Sequence, residues 1–283
     1  MDVYNAFLQG DLVVKVYMQI YGFTEVLSKS HFDYSLFTLT TEPDITIILV
    51  YVDDLLITGS NTDIIQSTRV KMKQQFKMKD LGHLRFFLGL EFSRNAFGIL
   101  LNQQKYSIEL IADSRQGGAK PASTPLDFNQ KHTSYEFDVS TGCTTDDKML
   151  EDPGGYQRLV GRLLYLTMTR PDISFVVQAL SQFMHKPKES HMHAAIRVIR
   201  YIKNAPGLSL HMSSTTSSHL FAYCDSDWAT CPKIRKSVTG YMVGFGTSLI
   251  SWKLKKQETI SRSSVEAEFR SMASTVAELS WLT

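Results

Sequence analysis

The chain has 283 residues, of which 43% are hydrophobic and 20% are charged, and its formal net charge at pH 7 is +2. This apolar content excludes a chain that is disordered throughout, and the small net charge neither requires nor excludes nucleic acid as a partner. Its three cysteines lack metal-ligand spacing, which argues against a disulfide scaffold and against a zinc site.

No segment is typical of membrane insertion or secretion. The longest apolar stretch, residues 45–57, is interrupted by Asp53 and Asp54, and Asp2 directly follows Met1. We therefore expect a soluble, intracellular protein in a reducing compartment, without a membrane partner.

Strand and helix patterns alternate in the first part of the chain. Strands are predicted where aromatic and β-branched residues concentrate, over residues 34–41, 45–52, 55–58, 85–93 and 98–101. Helices are predicted where apolar residues recur at helical spacing, over residues 62–78 and 103–112. Asp53 and Asp54 then lie at the tip of the first hairpin.

A linker is predicted over residues 114–155, which are rich in Gly, Pro, Ser and Thr and contain an acidic run. Prolines that suit helix ends frame three predicted helices, over residues 156–169, 171–185 and 190–204. A three-stranded meander follows, over residues 220–228, 237–246 and 248–255.

The last predicted helix covers residues 264–282. Its apolar residues recur along one side, and they are Val265, Phe269, Met272, Val276 and Leu279. A meander that leads into one amphipathic helix predicts an α+β fold class.

Asp53 and Asp54 form an acidic pair at the predicted hairpin tip. Hard divalent cations prefer carboxylate oxygens, and a tip between apolar strands holds such ligands rigidly. Two metal ions clamped in this way are a device for in-line phosphoryl transfer. Asp is also frequent in turns for conformational reasons, so the pair alone leaves both interpretations open.

Several motifs follow one another along nearly the whole chain. They are Asp-Val-Tyr-Asn-Ala-Phe-Leu-Gln-Gly-Asp-Leu at 2–12, Tyr-Val-Asp-Asp at 51–54, Lys-Asp-Leu-Gly at 79–82, Phe-Leu-Gly-Leu-Glu at 87–91 and Thr-Arg-Pro-Asp-Ile at 169–173. Together they resemble the reverse transcriptase and ribonuclease H region of the Pol polyprotein of copia-type LTR retrotransposons. The resemblance implies a partial polymerase palm, with an antiparallel sheet and helices, followed by a truncated ribonuclease H-like domain.

The resemblance also assigns residues of the polymerase site. Asp2, Asp53 and Asp54 match the catalytic, metal-binding aspartates, while Phe7 and Tyr51 match nucleotide-binding positions. Phe7 corresponds to the bulky residue that excludes the ribose 2′-hydroxyl. By residue type alone, Asp2 is a terminal carboxylate and Phe7 a core residue. The family implies Mg²⁺, with Mn²⁺ as an alternative, and an RNA template with a DNA primer as partners.

A second acidic group resembles the ribonuclease H site of the same family, which acts on an RNA–DNA hybrid. Asp225 and Glu266 are the best matches for its catalytic metal ligands, with Asp227 and Glu268 as alternatives. Ser263 and Glu266 also have the spacing of a helix capping box, which is compatible with metal binding.

The chain departs from the family pattern at three places. A segment that positions template and nucleotide is missing between Phe23 and Thr24, the fingers subdomain does not precede Asp2, and the third ribonuclease H acid lies beyond Thr283. We expect four segments, namely a partial palm at 1–113, a linker at 114–155, a helical connection at 156–210 and a truncated ribonuclease H-like domain at 219–283. Polymerase activity is not expected, because catalysis requires a positioned substrate.

Two functions remain open at this point. The chain is either a fragment of a working polyprotein or a non-enzymatic relic that binds nucleic acid weakly. Three basic clusters suit phosphate contacts or simple solvation, and they are Lys71, Lys73, Lys77 and Lys79, then Arg197, Arg200 and Lys203, then Lys253, Lys255 and Lys256. His191 and His193 are predicted at the surface. The family implies cytoplasmic particles with later nuclear entry, and the oligomeric state stays open.

Overall fold

Backbone contacts divide the chain into two compact units between Leu88 and Gly89. The computed structural model describes the backbone of residues 2–3 and, more fully, residues 27–52, 54–76, 78–127, 132–142, 147–215, 217–231 and 234–283. The division falls inside residues 1–113, which the sequence assigns to one segment. The four predicted domain boundaries therefore stay a prediction.

The described residues of the first unit form an antiparallel sheet and a helix. Its elements are β1 (Asp2–Val3), β2 (Ser28–Lys29), β3 (Leu36–Thr41), β4 (Asp44–Tyr51), β5 (Asp54–Gly59), α1 (Thr62–Gln75), β6 (Met78–Lys79) and β7 (Phe86–Phe87). The sheet has the strand order β2-β3-β4-β5-β1-β6. The hairpin β4–β5 confirms the two predicted strands, but Asp54 begins strand β5 and is paired with Tyr51, so it is not part of the tip as predicted.

Helix α1 begins and ends at identifiable signals. The Asn61 side chain accepts a hydrogen bond from the Asp63 N–H (2.9 Å) and caps the first turn. The helix ends at Gln75 rather than near Met78, because Phe76 has an extended backbone and β6 follows. On its inner side, Met72 is buried with Ile48 and Leu55 in the core of this unit.

The second unit combines two antiparallel sheets with a group of helices. Its elements are β8 (Leu90–Asn95), β9 (Gly98–Asn102), α2 (Gln104–Asp113), α3 (Tyr135–Thr141), α4 (Pro153–Leu166), a 3₁₀ turn (Pro171–Ile173), α5 (Ser174–Ser181), α6 (Glu189–Ile202), β10 (Leu210–Ser213), β11 (Leu220–Asp227), β12 (Val238–Phe245), β13 (Ser248–Lys256) and α7 (Ser264–Leu282). Strand β9 pairs with β8 and β10, and β12 pairs with β11 and β13. The antiparallel sheets and the helices confirm the predicted mixture of elements.

Local geometry explains why some boundaries differ from the prediction. Leu88 and Gly89 have positive φ angles (49° and 74°), which interrupt the strand expected over residues 85–93. Helix α4 begins earlier than expected because the Asp152 side chain accepts a hydrogen bond from the Gly154 N–H (2.8 Å), with Pro153 in the first turn.

The core of the second unit lies among helices α2, α4, α5 and α6. Among the described residues, sixteen buried side chains form it, including Leu110, Tyr156, Leu163, Val177 and Ile199. The Tyr156 hydroxyl donates to the Leu180 carbonyl (2.8 Å), so its polar end is satisfied within the core. Burial raises the pKa of this phenol, which stays neutral at physiological pH.

Part of the segment expected to be a linker is attached to helix α6. The Lys203 ammonium donates to the carbonyl groups of Gln116, Gly117 and Ala119, and the Arg200 guanidinium donates to the Lys120 carbonyl (2.7 Å). Helix α3 lies further along the same segment. Residues 114–127 are therefore held by side chains of α6, although their composition is typical of a loop.

Helix α7 has the predicted bounds, but the side that packs against the sheet is different from the apolar side. Its buried residues are the small Ala267, Ser271 and Thr275, whereas Val265 and Phe269 are 60% and 64% exposed. Small side chains let the helix approach β11 closely, so the Ser271 hydroxyl reaches the Asp225 carbonyl (2.8 Å). The apolar side of α7 consequently faces away from this sheet.

Candidate active sites

Two residues join strands β4 and β5 at the predicted polymerase site. Tyr51 is paired with Asp54, and Val52 and Asp53 lie between them. Val52 has a φ angle of 53°, a left-handed conformation that is unusual for a β-branched residue. Asp53 and Phe7, like the junction between Phe23 and Thr24, lie outside the described residues. Tyr51 is exposed beside the turn.

Strand β1 brings the backbone of Asp2 next to this turn. Asp2 lies opposite Asp54 on one side and opposite Lys79 on the other, and Val3 lies opposite Met78. The first and last aspartates predicted for the polymerase site are therefore neighbours across an antiparallel ladder, although the sequence separates them widely. Carboxylate is the donor type that Mg²⁺ prefers, so the residue types and the register fit a divalent cation.

Asp225 and Asp227 lie on strand β11 in the predicted ribonuclease H site. Both are exposed, and Ser226 between them is buried. Because side chains alternate along a strand, the two aspartates share one face and Ser226 belongs to the other. Partial burial, together with the negative charge of Asp225, raises the pKa of the Asp227 carboxyl group.

Glu266 is engaged at the start of helix α7. Its carboxylate accepts hydrogen bonds from the Arg262 N–H (2.8 Å) and from the Arg270 guanidinium (2.7 Å and 3.1 Å), and these bonds lower its pKa. The Ser263 hydroxyl accepts a hydrogen bond from the Glu266 N–H (3.1 Å). Glu266 therefore helps to cap the helix, a role that the sequence left open. Its carboxylate bonds to the N–H of Arg262, which precedes the N-cap residue Ser263.

The structure does not bring the strand aspartates and Glu266 into one cluster. Helix α7 covers the Ser226 face of the sheet, opposite the face that carries Asp225 and Asp227. Among the described residues, no group of three His, Cys, Asp or Glu side chains is arranged to hold a metal ion. The predicted pair Asp225 and Glu266, and the alternatives Asp227 and Glu268, therefore stay a prediction.

Gln257 connects the elements that carry these acids, and sequence reasoning missed it. Its side-chain NH₂ group lies within hydrogen-bonding distance of the Ser226 hydroxyl (3.2 Å), the Thr239 hydroxyl (3.0 Å) and the Ala267 carbonyl (2.9 Å). Its carbonyl oxygen accepts from the Ser261 hydroxyl (2.8 Å). A buried polar network of this kind fixes β11, β12 and the first turn of α7 to one another.

A buried ionic cluster in the helical part was also missed. The Lys188 ammonium, 4% exposed, pairs with Asp138 (2.6 Å) and Asp147 (2.9 Å). Next to it, His191 is fully buried, which corrects the prediction of a surface residue, while His193 is exposed. Residues two apart on a helix point in nearly opposite directions, so only one of the two histidines faces the core.

The basic clusters have partners of different kinds. In the cluster on α6, Arg197 donates to the Thr124 hydroxyl, and Arg200 and Lys203 donate to the carbonyl groups described above. Lys73 pairs with Asp80 (3.0 Å), and Lys255 pairs with Glu258 (3.0 Å). The α6 cluster is thus a structural clamp, and phosphate contacts would compete with these bonds.

None of the described helices has the length and apolarity that a membrane span requires.

Comparisons with known proteins identify relatives along the whole chain. The family model described as reverse transcriptase (RNA-dependent DNA polymerase) matches residues 23–127. The chain is 36% identical to the retrovirus-related Pol polyprotein from transposon RE1 of Arabidopsis thaliana, over 100% of this chain and 21% of that protein. The chain therefore spans about a fifth of the length of this Pol polyprotein.

Shorter relatives are covered more completely. An uncharacterized mitochondrial protein of Arabidopsis thaliana is 38% identical over 83% of this chain and 93% of its own length. A putative transposon Ty5-1 protein of Saccharomyces cerevisiae is 32% identical over 87% of this chain and 78% of its own length. No solved structure is significantly similar to the chain.

These matches confirm the resemblance carried by the motifs. The chain belongs to the family of copia-type retrotransposon Pol polyproteins and contains a domain of the reverse transcriptase type.

Proposed function

We propose that this chain is a fragment of a retrotransposon RNA-directed DNA polymerase with an attached ribonuclease H region, and that it performs neither reaction as it stands. The observation that carries the proposal is the register of Asp2 opposite Asp54. It supports a residual metal site made of the first and last polymerase aspartates, to which we add Asp53 from the motif alone.

Asp2, Asp53 and Asp54 would hold Mg²⁺ or Mn²⁺ in this proposal. When bound, such a cation neutralises charge on a phosphate and activates the attacking oxygen. The chain's own residues position it, because β4 and β5 join at the turn and β1 lies beside β5. Tyr51 lies beside the turn, and Phe7 would exclude ribonucleotides when RNA template and DNA primer are bound.

The absence of polymerase activity is proposed because substrate-positioning parts are missing. The alignment with the RE1 relative runs over 318 residues, whereas this chain has 283, so at least 35 aligned positions have no counterpart here. Internal loss on this scale agrees with the missing segment inferred between Phe23 and Thr24. Without a surface that orients template and nucleotide, bound metal does not produce turnover.

The ribonuclease H part is proposed from the motifs around Asp225 and Glu266. Glu266 is bonded to Arg270, and the aspartates lie on the other face of the sheet. Because Glu266 is engaged with Arg270 and lies apart from the aspartates, we propose no step of RNA cleavage at these residues. The region would be an inactive relative of a domain that acts on RNA–DNA hybrids.

The alternative proposal is a non-enzymatic relic that binds nucleic acid weakly. Exposed basic residues of β13, such as Lys253, favour it, but the internal bonds of Arg200 and Lys203 weaken it. Electrostatic binding of this kind would fall steeply as the salt concentration rises. Cytoplasmic particles with later nuclear entry remain the compartment proposed from the family.

The proposal is tested on the full chain by primer extension on an RNA template with Mg²⁺ or Mn²⁺. We expect no extension above that of Asp54→Asn. Extension that Asp54→Asn abolishes would contradict the proposed inactivity.

Binding of an RNA–DNA hybrid, measured between 50 mM and 300 mM salt, tests the alternative proposal. Affinity that falls with salt and is unchanged in Asp54→Asn supports a relic that binds nucleic acid. Binding that is independent of salt or undetectable excludes such a relic.

A further inference from the structure

Strand β1 depends on the spacing of its two neighbours. It has two residues and lies between β5 and β6 in the sheet. Adjacent strands are about 4.8 Å apart, so β5 and β6 must be held about 10 Å from each other for β1 to bond with both. Such a short strand contributes few hydrogen bonds of its own and does not impose this distance.

The two neighbours differ in how they are held. Strand β5 pairs along its length with β4, and Leu55 is buried in the core of the unit. Strand β6 has two residues and lies at the edge of the sheet, where β1 is its neighbour. The position of β6 must therefore come largely from contacts outside the sheet.

Asp80 supplies such contacts directly after β6. Its carboxylate accepts hydrogen bonds from the Arg69 guanidinium and from the Lys73 ammonium (3.0 Å), both on helix α1. It also accepts one from the Gly82 N–H (2.9 Å), which fixes the turn that follows. The hydrogen bond with Arg69 contributes most to lowering the pKa of this carboxyl group well below its usual range, so it stays charged at physiological pH.

Helix α1 is in turn attached to β5. Met72 lies between the two basic residues that bind Asp80, and it is buried against Ile48 and Leu55. Met78 of β6 packs against the same core. Helix α1 therefore packs against β5 and holds β6 through the ion pairs of Asp80. Strand β6 in turn pairs with β1, and β1 pairs with β5.

We propose that Asp80 is a positioning residue for the metal-binding aspartates, because its ion pairs with Arg69 and Lys73 hold β6 at the distance that keeps Asp2 beside Asp54. The inference rests on the proposed function only for the metal ligands. Asp80 itself acts through the backbone of β6 and β1. Losing its charge would leave the β4–β5 hairpin in place and release the strand that carries Asp2.

Metal binding by the full chain tests this role, with Tb³⁺ as the probe and Tyr51 as the ring that sensitises its luminescence. We expect Asp80→Asn to weaken Tb³⁺ binding about tenfold and Asp54→Asn to abolish it. Asp80→Glu retains the charge and should restore most of the affinity. Asp63→Asn, at an exposed acid in the first turn of the same helix, is the matched control and should bind as the original chain does.

Hydrogen exchange in β6 gives a second, metal-free measurement, read at whichever of the Met78 and Lys79 amides faces β1, since successive amides of a strand point to opposite sides. Asp80→Asn should accelerate exchange there at least tenfold at a temperature where the chain remains folded, and leave exchange in β3 and β4 unchanged. General destabilisation would accelerate both regions and would count against positioning.

The outcomes separate the inference from the proposed function. Binding of Tb³⁺ that depends on Asp54 but is unchanged in Asp80→Asn would overturn the inference. If the original chain shows no Tb³⁺ binding that depends on Asp54, the proposed metal site is overturned, and hydrogen exchange then decides the role of Asp80. Unchanged exchange in β6 in Asp80→Asn would overturn the positioning role of Asp80, and acceleration confined to β6 would support that role.

Discussion

Asp2 and Asp54 lie directly opposite each other on adjacent antiparallel strands, and Lys79 lies opposite Asp2 on its other side. The candidate polymerase site is therefore assembled from three distant parts of the sequence. Its geometry depends on how those parts are held together, and the same is true of other clusters in this chain.

The left-handed backbone of Val52 leads to a prediction for stability. A β-branched residue in this conformation costs about 1–3 kcal/mol. Val52→Gly should therefore leave the free energy of unfolding unchanged or raise it by up to about 1 kcal/mol, after the entropic cost of glycine. Ile45→Gly, within strand β4, is the control and should lower it. Urea unfolding followed by far-UV circular dichroism measures both, and a marked loss for Val52→Gly would contradict the strain.

His191 predicts how stability depends on pH. Its Nδ1 accepts a hydrogen bond from the Lys188 N–H (3.1 Å), so its Nε2 carries the proton and donates to the Thr133 carbonyl (3.1 Å). Burial, followed by the charge of Lys188, lowers the pKa of His191 to about 4. The unfolded chain then binds more protons than the folded chain between the usual pKa of 6.5 and about 4.

Stability from His191 is consequently complete above pH 6.5 and declines as the pH falls towards 4, by about 3 kcal/mol. His191→Asn keeps an acceptor for the Lys188 N–H and does not titrate, so it should flatten this part of the profile. His193→Asn, at an exposed histidine of the same helix, is the matched control. The free energy of unfolding, measured at several pH values between 4 and 7, tests this prediction. An unchanged slope in His191→Asn would show that His191 does not cause the loss of stability. His132 shares the effect, because burial also lowers its pKa.

Lys188 predicts a large loss of stability when its charge is removed. Lys188→Met would leave Asp138 and Asp147 without their buried cation, and breaking a buried pair in this way costs about 3–5 kcal/mol. Lys186→Met removes an exposed, solvent-screened pair with Glu136 and should change stability little. Thermal unfolding of the two variants provides the comparison, and equal shifts would argue against a structural role for the buried cluster.

Gln257 predicts a local change that fluorescence can detect. Gln257→Ala removes partners from the Ser226 and Thr239 hydroxyls and from Ser261, at a cost of about 1–3 kcal/mol. The Trp228 indole N–H donates to the Ser261 carbonyl (3.0 Å), so its emission should shift as that segment loosens. Glu258→Ala, next along the chain and exposed, should change neither stability nor emission. If Gln257→Ala and Glu258→Ala have the same tryptophan emission, the hydrogen bonds of Gln257 do not hold Ser261 in place.

Local signals in the sequence predict much of this fold. The β4–β5 hairpin follows from two apolar runs around an acidic tip, and α7 begins after Ser263 because its hydroxyl caps the first turn. Neither feature requires knowledge of distant contacts. The acidic residues of both candidate sites were accordingly found from motifs alone.

Features that depend on tertiary contacts were not predictable in the same way. Helical periodicity predicts that the apolar side of α7 is buried, yet small residues such as Ala267 and Ser271 allow closer packing. The charges of Arg200 and Lys203 look alike in the sequence whether they meet phosphate or a loop carbonyl. Similarly, nothing local distinguishes Asp80, whose partners lie on the preceding helix.

The strand order of the first unit also fixes an order of events during translation. The hairpin β4–β5 is formed by neighbouring residues and is complete soon after they leave the ribosome. Strand β1 is made before them, but it lies between β5 and β6, and β6 is synthesised last of the three. Strand β1 is therefore synthesised long before either of its neighbours, and a nascent chain halted before Lys79 would leave the β6 side of Asp2 unpaired.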